Sequence, residues 1–146
     1  MSKQPTADIR VARTDAELTA CIDVRRSVFI KEQGVPEHRE LDGLDGEATH
    51  LLACGSSPVG TARLRPHDPT VMKVERVAVI QSHRDQGLGR ELMMYAESIA
   101  NKKGYECIRL DAQTQVIGFY ERLDYDVVST EFEDAGISHR TMEKQL

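Results

Sequence analysis

Apolar and polar residues alternate from Ile9 to Arg13, the period-two pattern of a short half-buried strand. Thr14-Asp15-Ala16-Glu17 follows with capping-box spacing, in which Thr14 bonds a backbone donor and Glu17 reaches back. Beyond it, Leu18, Ile22, Arg25 and Phe29 fall on one helical face, widened by Cys21 and Val28; this helix should stop near Gly34 and before Pro36. Ala48 to Cys54 and Val59 to Arg65 read as strands joined by Gly55-Ser56-Ser57-Pro58, and a turn from Pro66 to Thr70 leads to a third strand, Val71 to Ile80. Three strands joined by short turns make an antiparallel meander.

The period then changes. After the polar turn Gln81 to Gln86, Gly87-Leu88-Gly89 opens a segment with apolar residues at Leu88, Leu92, Tyr95 and Ile99, one face of a helix that ends at Lys102, Lys103 and Gly104. Cys107 to Ala112 is a buried strand, parallel to the strand before the helix. Val116 to Leu123 is a short helix, and Val127 to Glu133 and Ser138 to Glu143 are strands around an Asp134-Ala135-Gly136 turn. This order predicts an α/β (α+β) domain with one mixed sheet of six to seven strands and helices on both faces.

Length and composition narrow the class. At 146 residues the chain, 1–146, should be one domain. No apolar run spans a bilayer, and the start MSKQPTADIR lacks an apolar signal core, so the expectation is a cytoplasmic protein with no membrane partner. A formal net charge of −5 and no dominant basic cluster argue against nucleic acid. Cys21, Cys54 and Cys107 form no C-x-x-C pair and read as buried small residues, with no metal expected. Between Glu37 and Glu47 the chain is acidic with two Asp-Gly steps; it reads as a solvated loop, or else as a rim attracting a cationic substrate.

The strand, glycine-rich turn and helix together aim backbone N–H groups at an anion. No G-x-x-x-x-G-K-[ST] string occurs, and a dinucleotide fingerprint fails at Leu92. What remains is R-x-x-G-x-G, here Arg84-Asp85-Gln86-Gly87-Leu88-Gly89, or a purely structural turn. Downstream stands Phe119-Tyr120-Glu121-Arg122-Leu123-Asp124-Tyr125. With these two motifs in this order, nearly the whole chain resembles the GNAT family of N-acetyltransferases. The run Arg26-Ser27-Val28-Phe29-Ile30-Lys31-Glu32-Gln33, with Glu40-Leu41-Asp42 and Gly136-Ile137-Ser138-His139, is closest to its ElaA-like branch. Two departures are Gln113, where many members have Asn, and Asp124, where Gly is usual; Asp tolerates a left-handed turn.

The resemblance implies acetyl-CoA as co-substrate, lying between the Val74–Ile80 and Cys107–Ala112 strands where they splay, and an amine acceptor. Backbone of Val77, Ala78 and Val79, the turn residues Arg84 to Arg90 and Gln113 would bind the donor. Tyr120 would protonate the departing thiolate; the alternative is a core aromatic. An alkyl amine, with a pKa of about 10, arrives protonated and needs a base. Glu75, a charge in an otherwise apolar strand, is the first candidate; alternation places it with Lys73, Val77 and Val79. Glu32 or His139 are substitutes, and Glu32, Gln33, Glu40, Asp42 and His139 are acceptor-site candidates, with His50 weaker.

The expected function is direct acetyl transfer from acetyl-CoA to a primary amine by a monomer or homodimer. Two rivals remain. Autoinducer synthases, which use an acyl carrier protein as donor, share the R-x-x-V-F start, but they usually carry tryptophans there and this chain has no Trp. A non-catalytic acetyl-CoA sensor would bind the donor without releasing thiol.

Overall fold

The structure, a computed structural model, describes residues 7–146; the polar start at residues 1–6 lies outside the described residues. Eight strands form one mixed sheet: β1 (Asp8–Val11), β2 (Thr49–Cys54), β3 (Pro58–Pro66), β4 (Val71–Val79), β5 (Cys107–Gln113), β6 (Asp126–Val127), β7 (Phe132–Asp134) and β8 (Ile137–Gln145). Their order is β1-β2-β3-β4-β5-β8-β6, with β7 also paired to β8. The count exceeds six to seven because the single strand expected over Val127 to Glu133 divides into β6 and β7, separated by Val128 to Glu131. The meander β2-β3-β4 is antiparallel, and β4 and β5 are parallel as expected.

Helices α1 (Asp15–Arg25), α2 (Glu37–Glu40), α3 (Leu88–Lys102) and α4 (Ile117–Glu121) complete the fold. The capping box at Thr14 and Glu17 forms: the Thr14 hydroxyl accepts from Glu17 N–H at 3.1 Å. From Arg26 to Glu32 the first helix widens into a π-helix, a rare geometry frequently found at functional sites. Gly34, at φ +75°, ends it before Pro36.

The core has two parts. Leu88, Leu92, Met93, Ala96 and Ala100 of α3 pack on Leu51, Leu64, Met72 and Val74 on one sheet face. Tyr95, expected on that face, is 37% exposed, and Ala96 and Ala100 take the inward positions. On the other face Val24 and Val28 pack against Ala78. Cys21 and Cys107 are buried free thiols, whereas Cys54 is only half-buried at the end of β2.

The alternation expected along β4 breaks at a β-bulge. Thr61 pairs with Ala78 and Arg63 with Glu75, so β4 carries one extra residue, and Arg76 takes the left-handed φ of +56°. Val77 and Val79 therefore join the α3 side of the core, while Lys73 and Glu75 lie on the opposite face with Ala78. Val77 and Val79 thus do not share a face with Lys73 and Glu75.

Candidate active site

Hydrogen-bonded pairing between β4 and β5 covers only Val71 to Lys73 against Cys107 to Arg109. Past that point the strands separate, and the β5-facing edge of Val74 to Val79 has no strand partner among the described residues. The wedge opens into a cleft of about 390 Å³. It is lined by Val77, Ala78, Val79 and Arg84 on one side, Leu110 to Gln113 on the other, and Tyr120, His139, Glu32, Gln33 and Glu75 around them. Of the site residues proposed from sequence, Glu32, Gln33, Glu40, Glu75, Val77 to Val79, Arg84, Gln113, Tyr120 and His139 thus meet in one place, whereas Asp42 and the turn from Asp85 to Arg90 do not line the cleft. His50 does not; it is buried, with Nε2 2.9 Å from the Asp45 carbonyl oxygen.

At the end of β4 the turn leads into α3. Asp85 and Gly87 adopt left-handed φ of +62° and +84°, and no side chain caps α3. The first intrahelical bond is donated by Glu91 N–H to the Gly87 carbonyl, which leaves the N–H groups of Leu88, Gly89 and Arg90 to an external acceptor. Such a concave row of donors at a helix start suits an anion. Gly89 lies under the Phe119 ring, where a Cβ would stand 3.3 Å from Cζ. Replacing Gly87 by Ala is expected to cost about 1 kcal/mol of stability, because an L-residue resists this φ. A urea-unfolding midpoint shift checks it.

Arg84 is engaged rather than free. Its guanidinium donates to both Glu32 oxygens at 2.5 and 2.6 Å, and its Nε donates to the Val79 carbonyl at 2.9 Å. Across the cleft Gln113 Nε2 donates to Gln33 Oε1 at 2.9 Å. The end of the π-helix is therefore clasped to both lips of the wedge.

Most of the acidic segment is exposed, as a solvated loop would be, but Glu40, Asp42 and Asp45 turn onto arginines of the fold. Arg25, fully buried, donates to Glu40 Oε2 at 2.8 Å and Asp45 Oδ1 at 2.6 Å. Arg63, 1% exposed, donates to both oxygens of Asp42 and to Asp45, and also to Glu75. Arg76 reaches Glu40 and Asp42, while Arg39, rather than pairing with Glu40, donates to Asp134 at 2.8 Å. Four arginines of the folded core and sheet (Arg25, Arg63, Arg65, Arg76) meet Glu40, Asp42, Asp45 and Glu75. A cation-attracting rim is accordingly not what Glu40, Asp42 and Asp45 form.

The same network holds Glu75. Arg65 donates to both of its oxygens, at 2.7 and 3.1 Å, and Arg63 donates to Oε2. Although burial opposes ionisation, these guanidiniums pull the Glu75 carboxyl down to about 2. His139 stands differently. Its Nδ1 is 2.7 Å from the Ile137 carbonyl oxygen, which fixes the proton on Nδ1 and leaves the Nε2 lone pair free; the ring stacks on Phe132 at 5.9 Å. Tyr120 packs edge-on against Phe119 and Tyr125 at 4.9 and 5.8 Å, and burial alone pushes its phenol above its ordinary value.

Arg25, Arg63, Arg65 and Asp45 were not singled out by sequence as parts of the site. A signal was present: Arg63 and Arg65 alternate with Ala62 and Leu64 along a strand, and a charge on a face that packs inward, as Arg63 does at 1% exposure, requires a carboxylate partner.

Residues 11–146 match the model of the acetyltransferase (GNAT) domain. The uncharacterized N-acetyltransferase YjcF of Bacillus subtilis is 40% identical over 136 residues, covering 92% of this chain and 96% of its own. Protein ElaA of Escherichia coli is 27% identical over 137 residues, covering 90% and 89%. The crystal structure of an acyl-CoA N-acyltransferase from Pseudomonas aeruginosa superposes with a TM-score of 0.84 at 28% identity, covering 94% of this chain and 99% of that one. Wedge, glycine turn and sequence agree: the chain belongs to the GNAT acetyltransferase family, in its ElaA-like branch.

Proposed function

We propose that the protein transfers an acetyl group directly from acetyl-CoA to a primary amine. The observation that carries this reading is the parting of β4 and β5 into a cleft with Arg84 and Tyr120 in its wall, Arg84 being the first residue of the turn that leads through Gly87 into α3. The name of the similar Pseudomonas protein, an acyl-CoA N-acyltransferase, supports the choice of donor. The residues present fit that donor. Side-chain-free Gly87 and Gly89, with the N–H groups of Leu88, Gly89 and Arg90, suit a pyrophosphate, and the flanking Asp85 and Gln86 shape the same turn. The unpaired edge of Val77 to Val79 offers main-chain bonds to an extended amide chain, and Gln113 offers a side-chain amide opposite.

Acetyl-CoA supplies a thioester carbonyl and a thiol leaving group. A backbone N–H near Val77 or Ala78 stabilises the charge developing on the carbonyl oxygen. The acceptor nitrogen forms the new C–N bond as the C–S bond breaks; Tyr120 gives its proton to the departing sulfur, and His139 Nε2 takes the proton leaving the nitrogen. Glu75, tied to two arginines, serves as a fixed negative charge rather than the base. Direct transfer is favoured because, among the described residues, no Cys, Ser or Thr lines the cleft. Burial also pushes the Cys21 and Cys107 thiols up, away from nucleophilic thiolates.

The test is CoA-thiol release from acetyl-CoA across a panel of amines. Turnover with at least one amine is expected. Tight acetyl-CoA binding with no release would replace this reading by that of a sensor, and release only from an acyl carrier protein would replace the donor.

A further inference from the structure

We infer that the acceptor is a weakly basic amine, the α-amino group of a peptide chain, and not an alkylammonium such as a lysine side chain or a polyamine. This inference rests on the reading above and narrows its substrate.

The cleft holds carboxylates, but each is committed to a cation. Glu75 is bonded by Arg63 and Arg65, and Glu32 is bonded through both oxygens by Arg84. Glu40 is 3% exposed between Arg25 and Arg76, so it presents little surface to a substrate. Asp134 pairs with Arg39 at 2.8 Å, and Asp111 lies 3.4 Å from Lys73 while accepting from Thr141 at 2.8 Å. A carboxylate bound to a guanidinium neither attracts an incoming ammonium strongly nor takes its proton readily. Among the described cleft residues, the unshared basic lone pair is Nε2 of His139, an imidazole.

With every cleft carboxylate held by a cation, an acceptor arriving as an alkylammonium near 10.4 finds little to strip its proton, whereas a peptide α-ammonium near 7.7–8.0 loses it far more readily. At pH 7 roughly a tenth of such α-amines are already neutral, against well under a thousandth of alkylamines. The cleft therefore selects the nucleophile by its basicity. The neutralised segment from Glu40 to Asp45 removes the other route, since it supplies no free row of carboxylates for a polyamine.

The experiment compares CoA-thiol release at pH 7 from a dipeptide (α-amine only), from Nα-acetyl-lysine amide (ε-amine only) and from spermidine. Each is then followed from pH 6 to 10. The expected result is a kcat/KM for the dipeptide about 100-fold above those of the other two at pH 7, with the gap closing as pH rises toward 10. Comparable or faster turnover of the ε-amine or of spermidine at pH 7 overturns the inference while leaving acetyl transfer intact. No release from any of the three overturns the inference, and the broader amine panel then decides whether acetyl transfer fails with it.

Discussion

Replacing Arg63 by Met is expected to destabilise the protein by about 3–5 kcal/mol, the usual cost of stranding buried charge partners. Arg63 is 1% exposed and bonds Asp42, Asp45 and Glu75 together, so its loss leaves three carboxylates close to one another with weaker compensation. For a chain of this size that corresponds to a melting-point drop of about 10 °C or more. Thermal and urea unfolding measure it, and a loss below 1 kcal/mol would show that the network is not what holds the segment from Glu37 to Glu47 to the sheet. The same network sets the acid limb. Glu75 titrates at about 2 folded against 4.5 ordinarily, and Asp42 and Asp45 are also lowered, by Arg63 above all for Asp42 and by Arg25 and Arg63 against burial for Asp45. A depressed folded value means that the folded state binds fewer protons than the unfolded one. The stabilisation is then complete above the ordinary carboxylate range and is lost as pH falls from about 4.5 toward 2. Glu40, raised by burial, acts in the opposite sense, with its cost relieved on acidification. In Arg63→Met the wild-type slope through this acid window should flatten.

Much of the fold could be read in advance because local signals were strong and consistent. The capping box at Thr14, the meander through β4 and the period change at Gly87 each depend on neighbours in the chain, and each appears at its expected place. What could not be read depends on residues distant in sequence. The bulge at Arg76 is a register shift against β3 that no alternation count along β4 reveals, and it moved Val77 and Val79 to the other face. Likewise, the acidic segment has the composition of a solvated loop. Only the approach of Arg25 and Arg63 turns Glu40, Asp42 and Asp45 into ion-paired structural charges, with Glu40 buried. The site shows the same division: the turn from Arg84 to Gly89 and Tyr120 were marked by local motifs, whereas the engagement of Arg84 by Glu32, 52 residues earlier, and of Glu75 by Arg63 and Arg65 belongs to the tertiary fold. The preference for His139 over Glu75 as base combines those long-range contacts, which tie up Glu75, with a local one, the Ile137 carbonyl that holds His139 Nδ1.

Removing one oxygen, in Tyr120→Phe, is expected to lower kcat for acetyl transfer by about 10²–10³ while leaving donor binding nearly unchanged. The substitution isolates the chemistry because little else depends on that hydroxyl. The ring keeps its edge contacts to Phe119 and Tyr125, and the shift of the phenol is due to burial, with no hydrogen-bond partner contributing. Stability should therefore change by less than about 1 kcal/mol, a shift that thermal unfolding separates from the catalytic loss. Because burial raises the phenol above its ordinary value, Tyr120 retains its proton throughout the pH range in which the amine becomes neutral. Wild-type activity should then rise with pH to a plateau, with no alkaline decline below about pH 10. A proton donor acts on the leaving sulfur in the transition state, so kcat and kcat/KM for acetyl-CoA should fall together in the variant and its KM should hold. A raised KM at unchanged kcat would instead make Tyr120 a binding residue for the donor. An unchanged rate would return it to the role of a core aromatic, leaving water to protonate the thiolate.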